Sequence, residues 1–371
     1  MKTRAAILRE PNTEWSVEEI ELDGPESGEI LVKTLAAGLC HSDEHVFDGS
    51  QPAPLPMVGG HEGSGEVIEV GEGVTEFEPG DHIAVSFIPS CGKCRWCASG
   101  QQNICDLGAH LFEHGMMPPG GFRHHAADGT DLTPMLKVGT FAEHMVMNVD
   151  SAIKIDPDIP AGPAALVSCG VTSGYGSAVY RAEVRPGDTV VIVGCGGLGT
   201  AAIQGALMAG ARNVVAVDPS EFKREKAMEF GATHTAESME AATEAVRDMT
   251  LGVMADSVIL TPGVMRGEML APAQFLTRKG GTMVVTGIGP LEQMDAQLNL
   301  FDFTLMNKQL RGVIFGSTSP REEVPRLLGM YQAGQLKLDE MITNTYGLDD
   351  VNQGYQDMRD NKNIRGVITF D

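Results

Sequence analysis

Residues 188–199, Asp188-Thr-Val-Val-Ile-Val-Gly-Cys-Gly-Gly-Leu-Gly199, decide the fold of much of this chain. The apolar, β-branched first half predicts a strand, and the second half matches the pattern G-x-G-x-x-G. A helical pattern, TAAIQGALMAG, follows, and the next apolar run, NVVAVD, ends at Asp218. A glycine motif alone is weak evidence. With a strand before it, a helix after it and an acidic residue about 20 positions on, it becomes the dinucleotide-binding fingerprint.

Each part of this fingerprint has a physical role. The glycines let the backbone approach a pyrophosphate at the N-terminus of the helix. Asp218 can accept hydrogen bonds from both ribose hydroxyls, and its charge would repel a 2′-phosphate. NAD is therefore predicted over NADP. A tight glycine turn without a ligand is the alternative, and it has little support in this context.

The sequence on either side predicts how this domain is placed in the chain. Downstream, the segments KREKAMEFGATHT, MADSVILT and GGTMVVTGIG, with a helix over 264–278, continue the βα pattern. Upstream, short alternating strands (TRAAILRE, EWSVEEIEL, EILVKTLAAG) are separated by glycine and proline turns, as in a small β-barrel. The final strand, RGVITF, returns to this β-rich part. We predict an α/β protein with a Rossmann domain at 171–314, inserted in a β-rich domain formed by 1–170 and 315–371.

Three separate segments of the chain carry possible zinc ligands. The octet Gly38-Leu-Cys-His-Ser-Asp-Glu-His45 contains Cys40, and the other two candidates are His61 and Cys169. Two thiolates and an imidazole can hold zinc and leave a fourth position for water or substrate. The alternative is that both cysteines are small core residues and His61 a turn residue. That alternative must explain three such residues, each set among glycines and polar groups, so the metal site is favoured.

Four further cysteines predict a second metal site. Their spacing, C-x2-C-x2-C-x7-C, suits four thiolates around a closed, tetrahedral structural zinc. A pair of disulfides and an iron–sulfur cluster are the alternatives. The cysteine runs of ferredoxins have Cys-Pro three residues after the third cysteine, whereas here the last cysteine is farther away and Asp106 follows it. The proposed ligands are Cys91, Cys94, Cys97 and Cys105. The remaining Cys195 is expected to pack in the glycine turn.

Residues 106–139 form a long, polar, glycine-rich stretch with four histidines. Loops of this length are commonly lids or binding loops. No carboxylate or thiol falls at a persuasive spacing from the histidines, so we do not predict another metal site. They are His110, His114, His124 and His125.

Bulk composition narrows the classes of function. A length of 371 residues predicts two domains, and 42% hydrophobic with 21% charged residues is an ordinary globular composition. The net charge of −23 argues against nucleic acid and anionic membranes as partners. The N-terminal residues lack a signal-type apolar region, and no run approaches the ~20 apolar residues of a membrane span. A cytoplasmic location is expected.

Together these motifs resemble the zinc-containing medium-chain alcohol dehydrogenases from end to end. The matching stretches are GLCHSDEH, GHEGSGEVIEVG, CGKCRWC, CGVTSGYGSA, VGCGGLG with VAVD, and NIRGVITF. The resemblance implies a GroES-like catalytic domain with a Rossmann domain inserted in it, two zinc ions per chain and assembly as a homodimer or homotetramer. It also implies oxidation of alcohols to aldehydes by hydride transfer to NAD.

The resemblance assigns roles to residues near the catalytic zinc. Cys40, His61 and Cys169 would bind the metal, with Glu62 beside it. The other assigned residues act on protons or on a ligand: Asp43 would orient His61, Ser42 would contact the substrate hydroxyl, and His45 would finish a proton relay to solvent.

The resemblance also assigns the residues that would contact NAD. They are His41, Gly194, Gly196, Gly197, Leu198, Gly199, Asp218, Lys223, Gly287, Ile288 and Arg365. Asp218 and Lys223 fall where the family binds the adenosine ribose, and Arg365 falls where it pairs with the pyrophosphate. Many members have arginine at the position of His41, so a neutral imidazole there would weaken one charge pair with the cofactor.

Within that superfamily the likeness is closest to the nicotinoprotein alcohol dehydrogenases assayed with N,N-dimethyl-4-nitrosoaniline. Supporting stretches include SFIPSCGKCRWCASGQQNICDLGAH, AVDPSEFKREKA and YQAGQLKLDEMIT. Such enzymes keep NAD through turnover and have it reoxidised in place by an external acceptor, for which mycofactocin is the implied candidate. Rival predictions are a thiol-adduct formaldehyde dehydrogenase with dissociable NAD, a sorbitol-type polyol dehydrogenase and a non-enzymatic zinc and nucleotide-binding relative.

Overall fold

The computed structural model describes residues 1–370, which pack as two compact units. The first comprises Met1–Cys169 and the segment from Ser319 onward, and the second is Gly170–Thr318. The predicted domain limits, 170/171 and 314/315, lie one and four residues from these breaks. The assignment of a role to each domain stays a prediction.

The first unit is dominated by short strands. Its strands up to Cys169 are β1 (Lys2–Leu8), β2 (Ser16–Leu22), β3 (Glu29–Gly38), β4 (Met57–Val58), β5 (Glu62–Val70), β6 (His82–Val85), β7 (His124–Ala126), β8 (Asp131–Pro134), β9 (His144–Asn148) and β10 (Ala152–Lys154). Its helices in this part are α1 (His41–Phe47), α2 (Arg95–Ala98) and α3 (Ala161–Leu166). The three strands predicted for residues 1–37 are confirmed.

Two β-structures share this unit. Strands β1, β2, β7, β8 and β4 form a closed barrel, and the other sheet has the order β10-β6-β5-β3 and continues into the C-terminal segment. In β3, most side chains on both faces are buried, because it pairs with β5 along one edge and β9 along the other. Its last residue, Gly38, lies opposite Glu62 at the start of β5.

The stretch 106–139 differs from the lid or binding loop that was expected. Its second half supplies β7 and β8, so this part of the stretch is built into the barrel. His124 pairs with Leu22 in one neighbouring strand and with Leu132 in the other. The period-2 alternation over three or four residues is too short to identify such strands among glycines and polar residues.

The second unit is a parallel sheet with helices between its strands. Its elements are α4 (Gly170–Gly176), β11 (Thr189–Val193), α5 (Gly197–Met208), β12 (Asn213–Val217), α6 (Glu221–Glu229), β13 (His234–Ala236), α7 (Met239–Met249), β14 (Ala255–Leu260), α8 (Leu270–Leu276), β15 (Thr277–Val285), α9 (Leu300–Leu305) and β16 (Gln309–Gly312). The predicted helix over 264–278 is shorter than expected, since β15 already begins at Thr277.

The strand order of the parallel sheet is β13-β12-β11-β14-β15-β16. All five residues of β11 are buried, as expected for a central strand covered on both faces. The order reverses beside β11, and such a switch point is where doubly wound sheets bind ligands at the carboxyl ends of their strands. The glycine motif follows the carboxyl end of β11, as the sequence predicted.

The C-terminal segment returns to the sheet of the first unit. It consists of α10 (Pro320–Gln332), β17 (Ile342–Tyr346), α11 (Val351–Arg359) and β18 (Arg365–Thr369). Strand β18 pairs antiparallel with the end of β3, with Val367 opposite Gly38. This pairing brings Arg365 to the same end of the sheet as Glu62. No helix among residues 1–370 has the length and apolar character needed to cross a membrane.

Candidate metal and cofactor sites

Cys40 is held at the start of α1. It is the N-cap residue, with extended backbone angles (φ −130°, ψ 152°), and its N–H donates to Asp43 Oδ2 at 3.2 Å. This contact is half of a capping box, because the side chain of the third helical residue accepts a hydrogen bond from the backbone N–H of the N-cap residue. The sequence places this cysteine just after β3, so its thiol lies at the end of the sheet.

His61 is the second predicted ligand, and its ring is buried. Its Nδ1–H donates to Asp43 Oδ1 at 3.2 Å, and both side chains are fully buried. The edge of Phe87 packs against the ring, with centroids 5.6 Å apart. The other nitrogen, Nε2, is buried without a hydrogen-bond partner. A neutral imidazole whose Nδ1–H is held by a carboxylate has a lone pair on Nε2 available for a metal.

Cys169 completes the cluster. It follows α3, where the Gly63 N–H donates to Ser168 Oγ at 3.1 Å and joins this segment to β5. The ligand atoms of Cys40, His61, Glu62 and Cys169 all lie within 4.8 Å of one another. Two sulfurs and one imidazole nitrogen are the donor set of a catalytic zinc site, and the unpaired Nε2 fits a metal there.

Glu62 faces Arg365 inside the first unit. The Arg365 guanidinium donates to Glu62 Oε2, and both side chains are buried. A Cβ on Gly38 would overlap that carboxylate oxygen, so a larger residue there would displace the Glu62 carboxylate from its present position. Burial raises the pKa of Glu62 to about 7, although Arg365 acts in the opposite direction. The structure therefore gives Arg365 a protein partner in addition to its predicted role toward a pyrophosphate.

The side chains of the cluster interact strongly through their charges. Contact with Cys169 lowers the pKa of Cys40 well below its usual range, while contact with Cys40 raises that of Cys169. Burial would lower the pKa of His61, but Asp43 and Cys40 outweigh it and raise the pKa. One thiolate and a cationic or metal partner are thus favoured in this pocket.

The predicted relay residues lie along α1. Ser42 Oγ is 3.7 Å from Cys40 Sγ, and His45 is buried, with 3% of its surface exposed. The His45 Nδ1 atom lies 3.0 Å from Ser50 Oγ. His41 is on the exposed side of the helix. The roles of Ser42, His45 and His41 stay predictions.

The second cysteine cluster forms around α2. Two pairs of sulfurs, Cys91 with Cys97 and Cys94 with Cys105, are each 3.9 Å apart, and none of the cysteines is in a disulfide. All four sulfurs lie within 4.8 Å of one another. The backbone N–H groups of Cys97 and Asp106 lower the pKa of Cys94 to about 6. Four converging thiols of this kind fit a structural zinc.

The glycine turn of the second unit has the features of a phosphate site. Gly194 has φ +92°, and a Cβ there would lie 2.6 Å from the Thr261 carbonyl oxygen. Gly196 is the N-cap of α5 and no side chain caps the helix, which leaves its first N–H groups available to an anion. Gly197, Leu198 and Gly199 form the first turn of this helix. Burial raises the pKa of Cys195, consistent with an inert packing residue.

Asp218 lies directly after β12, beside this turn. Its two carboxylate oxygens accept from the backbone N–H groups of Cys195 (2.8 Å) and Ser220 (2.9 Å). Lys223 is in the first turn of α6, the helix capped by Ser220. Gly287 and Ile288 follow β15, and the Gly287 N–H donates to the Leu260 carbonyl at 3.0 Å. The predicted cofactor residues of this unit are thus at the carboxyl ends of β11, β12 and β15.

Comparison with known proteins identifies the family of the chain. A family described as the alcohol dehydrogenase GroES-like domain matches residues 26–157, and one described as zinc-binding dehydrogenase matches residues 197–333. The NDMA-dependent alcohol dehydrogenase of Amycolatopsis methanolica is 49% identical over 368 residues, 99% of each chain. The chain belongs to the zinc-type medium-chain alcohol dehydrogenases. Alcohol dehydrogenase B of Mycobacterium tuberculosis is 50% identical over 371 residues, 100% of this chain and 99% of that one.

Solved structures of zinc-binding alcohol dehydrogenases share the fold of this chain. An alcohol dehydrogenase zinc-binding domain protein from Burkholderia ambifaria superposes with a TM-score of 0.93 at 29% identity, covering 100% of this chain and 99% of the other. Benzyl alcohol dehydrogenase from Acinetobacter calcoaceticus gives a TM-score of 0.89 at 27% identity, with both chains fully covered. The predicted combination of a GroES-like domain with an inserted Rossmann domain is confirmed.

The alcohol dehydrogenase site also contains residues that sequence reasoning did not single out. The Phe87 ring supports His61, and the Thr140 hydroxyl donates to the Glu62 carbonyl at 2.8 Å. The Tyr355 hydroxyl is fully buried; burial and the Asp43 charge raise its pKa well above the usual range. The sequence carries no local signal for these contacts, because each joins segments that are far apart along the chain.

Proposed function

We propose that this alcohol dehydrogenase oxidises alcohols to aldehydes at a zinc centre by hydride transfer to NAD that stays bound through turnover. The observation that carries the chemistry is the cluster of Cys40, His61 and Cys169, in which His61 Nε2 is buried and has no hydrogen-bond partner. The NDMA-dependent relative, 49% identical over 99% of each chain, supports the NDMA-dependent subtype.

The proposed metal site has three protein ligands. Cys40, His61 and Cys169 would hold the catalytic zinc, and the four cysteines around α2 would hold a structural one. A zinc ion with an open position is a Lewis acid that favours the alkoxide form of an alcohol near neutral pH. Asp43 keeps the His61 Nδ1–H in place, so that the Nε2 lone pair stays directed at the metal position.

The proton released from the alcohol requires a path away from the buried cluster. Ser42 begins this path beside Cys40, and His45, one helical turn later on α1, continues it. Beside these ligands, the buried Glu62 carboxyl accepts from the Arg365 guanidinium, so each of the two side chains has a partner.

NAD is proposed to bind at the carboxyl ends of the parallel strands. The N–H groups at the start of α5 would bind the pyrophosphate, and the free lone pairs of Asp218 would accept from the ribose. In this unit the other proposed contacts are Lys223, Gly287 and Ile288. For His41 and Arg365, in the first unit, a role toward NAD is implied by the resemblance alone. Retention of NAD and reoxidation by an external acceptor, for which mycofactocin is the candidate, are supported by the resemblance.

The absorption spectrum of the purified protein tests this proposal. A primary alcohol is added to freshly purified enzyme without any added NAD. A reduced-nicotinamide band that disappears on addition of N,N-dimethyl-4-nitrosoaniline is expected. No band, together with fast turnover on added NAD, would reject retention but not alcohol oxidation.

A thiol-adduct formaldehyde dehydrogenase with dissociable NAD is the second candidate. It is favoured by a 33% identity, over 381 residues and both full lengths, with S-(hydroxymethyl)glutathione dehydrogenase of Paracoccus denitrificans. Residues 105–120 contain no lysine or arginine that could bind an anionic glutathione adduct, which counts against it. Oxidation of S-(hydroxymethyl)glutathione faster than of any simple alcohol would favour this candidate.

We also propose that the protein forms a homo-oligomer through its second unit. Among residues 1–370, sixteen large apolar side chains are exposed, and eight of them fall within residues 288–314. They are Ile288, Leu291, Met294, Leu300, Phe301, Leu305, Leu310 and Ile314, called the 288–314 surface below. An exposed apolar concentration of this kind is typical of a protein–protein contact.

A further inference from the structure

His45 lies where it cannot pass a proton to solvent unaided. The side chain is on α1, facing inward, and only 3% of its surface is exposed. Under the proposed function a proton must leave the buried ligand cluster through this imidazole. A further group of the protein is therefore needed between His45 and water.

Ser50 is in contact with the buried ring. Its Oγ lies 3.0 Å from His45 Nδ1, and its side chain is only partly buried. The loop after α1 folds back to make this contact: Gly49 has φ +74°, and the Gln51 N–H donates to the His45 carbonyl at 2.9 Å. The Ser50 N–H donates to Asp48 Oδ1 at 2.8 Å, which fixes the backbone beneath the hydroxyl.

The neighbouring carboxylates already have other donors. Those on α1 and its following loop are Asp43 (bound by His61 and the Cys40 N–H), Glu44 (bound by Arg359) and Asp48 (bound by the Ser50 N–H). A hydroxyl can accept one proton and donate another, so it can join an imidazole to water without changing its own charge.

We propose that Ser50 is the last protein group of the proton path, connecting His45 Nδ1 to solvent. The inference rests on the proposed function. His45 accepts a proton at Nε2; its Nδ1–H bond breaks as Ser50 Oγ gains that proton, and the original Ser50 O–H proton passes to water. One proton leaves and Ser50 stays neutral. Reduction of the acceptor consumes a proton, and reverse movement along the same path restores the first tautomer of His45.

The experiment compares Ser50→Ala and Ser50→Thr with the wild-type protein. Turnover of a primary alcohol is measured with N,N-dimethyl-4-nitrosoaniline at fixed pH and ionic strength while the concentration of imidazole buffer is raised. We expect Ser50→Ala to be roughly tenfold slower at low buffer and to recover as the buffer replaces the hydroxyl, because a positioned proton carrier contributes at least this much. Ser50→Thr keeps the hydroxyl and is expected to keep the wild-type rate without buffer dependence.

Nitrogen-15 NMR of the histidine-labelled, substrate-free protein gives a readout independent of turnover. The His45 resonance is identified by its loss in His45→Asn. In Ser50→Ala it is expected to shift while the other histidine resonances stay in place, which shows that the fold is intact.

The possible results distinguish the role of Ser50 from the proposed function on which it rests. Wild-type turnover in Ser50→Ala at low buffer, or a slow rate that buffer does not restore, would overturn the role of Ser50 while leaving alcohol oxidation standing. A His45→Asn variant with the wild-type rate would remove the path through α1 altogether. A wild-type protein that oxidises no alcohol would reject the proposed function itself.

Discussion

At the scale of single residues, His61 shows how the state of one side chain depends on its neighbours. Asp43 holds one ring nitrogen at 3.2 Å, and the fully buried second nitrogen has no hydrogen-bond partner. A buried polar atom left unpaired costs about 1–3 kcal/mol. A bound metal removes that cost, so metal binding and stability of the first unit are expected to be coupled.

Replacing Cys40 tests the catalytic metal site. Cys40→Ala removes one of two thiol ligands, and we expect it to lose about one zinc per chain and all measurable turnover, while the structural zinc stays bound. Zinc is measured by elemental analysis of the purified protein. Cys195→Ala, a buried cysteine outside both clusters, is the matched control and should keep both ions. Full activity in Cys40→Ala would contradict the assignment.

His124 is predicted to contribute to acid sensitivity. Burial lowers its pKa from 6.5 to about 3, and neither ring nitrogen has a hydrogen-bond partner. Between these two values the unfolded chain binds a proton that the folded state excludes. Stability should therefore fall as pH decreases from about 6.5 toward 3, at up to ~1.4 kcal/mol per pH unit from this residue.

The variant His124→Leu isolates this contribution. Urea unfolding at several pH values should show a shallower loss of stability in acid than the wild-type protein. His110→Leu is the control: its partly exposed ring pairs with Glu113 and has no influence on the pKa of His124, so this variant should keep the acid sensitivity of the wild type. Equal pH dependence of His124→Leu and wild type would show that the buried imidazole is not the cause.

At the scale of elements, the turn from β11 to α5 has a backbone shape that favours glycine, and its N–H groups are the proposed contacts of the pyrophosphate. Gly194 adopts a positive φ, and the Thr261 carbonyl lies where its side chain would be. The Cys195 N–H, the next along the chain, is tied to Asp218 at 2.8 Å. This hydrogen bond holds the turn against the acidic residue that follows β12, although 23 positions separate the two bonded residues.

A methyl group in this turn is expected to abolish cofactor binding. In Gly194→Ala the Cβ would lie 2.6 Å from the Thr261 oxygen, so the turn must shift and its N–H groups move. The nicotinamide content of the purified protein, measured after acid release, should fall to near zero. Gly187→Ala is the matched control, with φ +95° but open space around the Cβ. It should keep the nucleotide and lose roughly 1–2 kcal/mol of stability. Equal nucleotide contents in the two variants would contradict the assignment.

At the scale of the whole molecule, the charge and the apolar surface have opposite effects on association. A net charge of −23 opposes self-association, whereas the 288–314 surface favours it. Helix α9 carries Leu300, Phe301 and Leu305, all more than half exposed, and has no buried residue. Such a helix is expected to be covered by a partner, and a second copy of this chain is the proposed one.

Charged residues on this helix should weaken the assembly. The double change Phe301→Asp with Leu305→Asp is expected to lower the mass measured by light scattering after gel filtration, because a buried carboxylate without a partner is costly. Leu251→Asp, at a similarly exposed apolar position outside the surface, is the control and should keep the wild-type mass. An unchanged mass in the double variant would exclude α9 from the contact.

Much of the fold could be predicted because its signals are local. The glycine turn, the cysteine spacing around α2 and the strands of residues 1–37 each depend on neighbours within a few positions. The short strands β7 and β8 were missed, since three or four residues do not establish a period. The start of β15 inside the predicted helix at 264–278 was missed for a similar reason: strand and helix patterns overlap there.

Residue types and their spacing identify the thiols and imidazoles available for zinc, the glycine turn available for a dinucleotide, and the family to which the chain belongs. How those groups are paired is seen in the folded protein. Arg365 bonds to Glu62 across 303 positions, and His45 is buried behind Ser50. Residue types and short spacings follow from covalent connectivity, whereas burial and long-range partners depend on the packing of distant segments, whose free energies no local pattern contains.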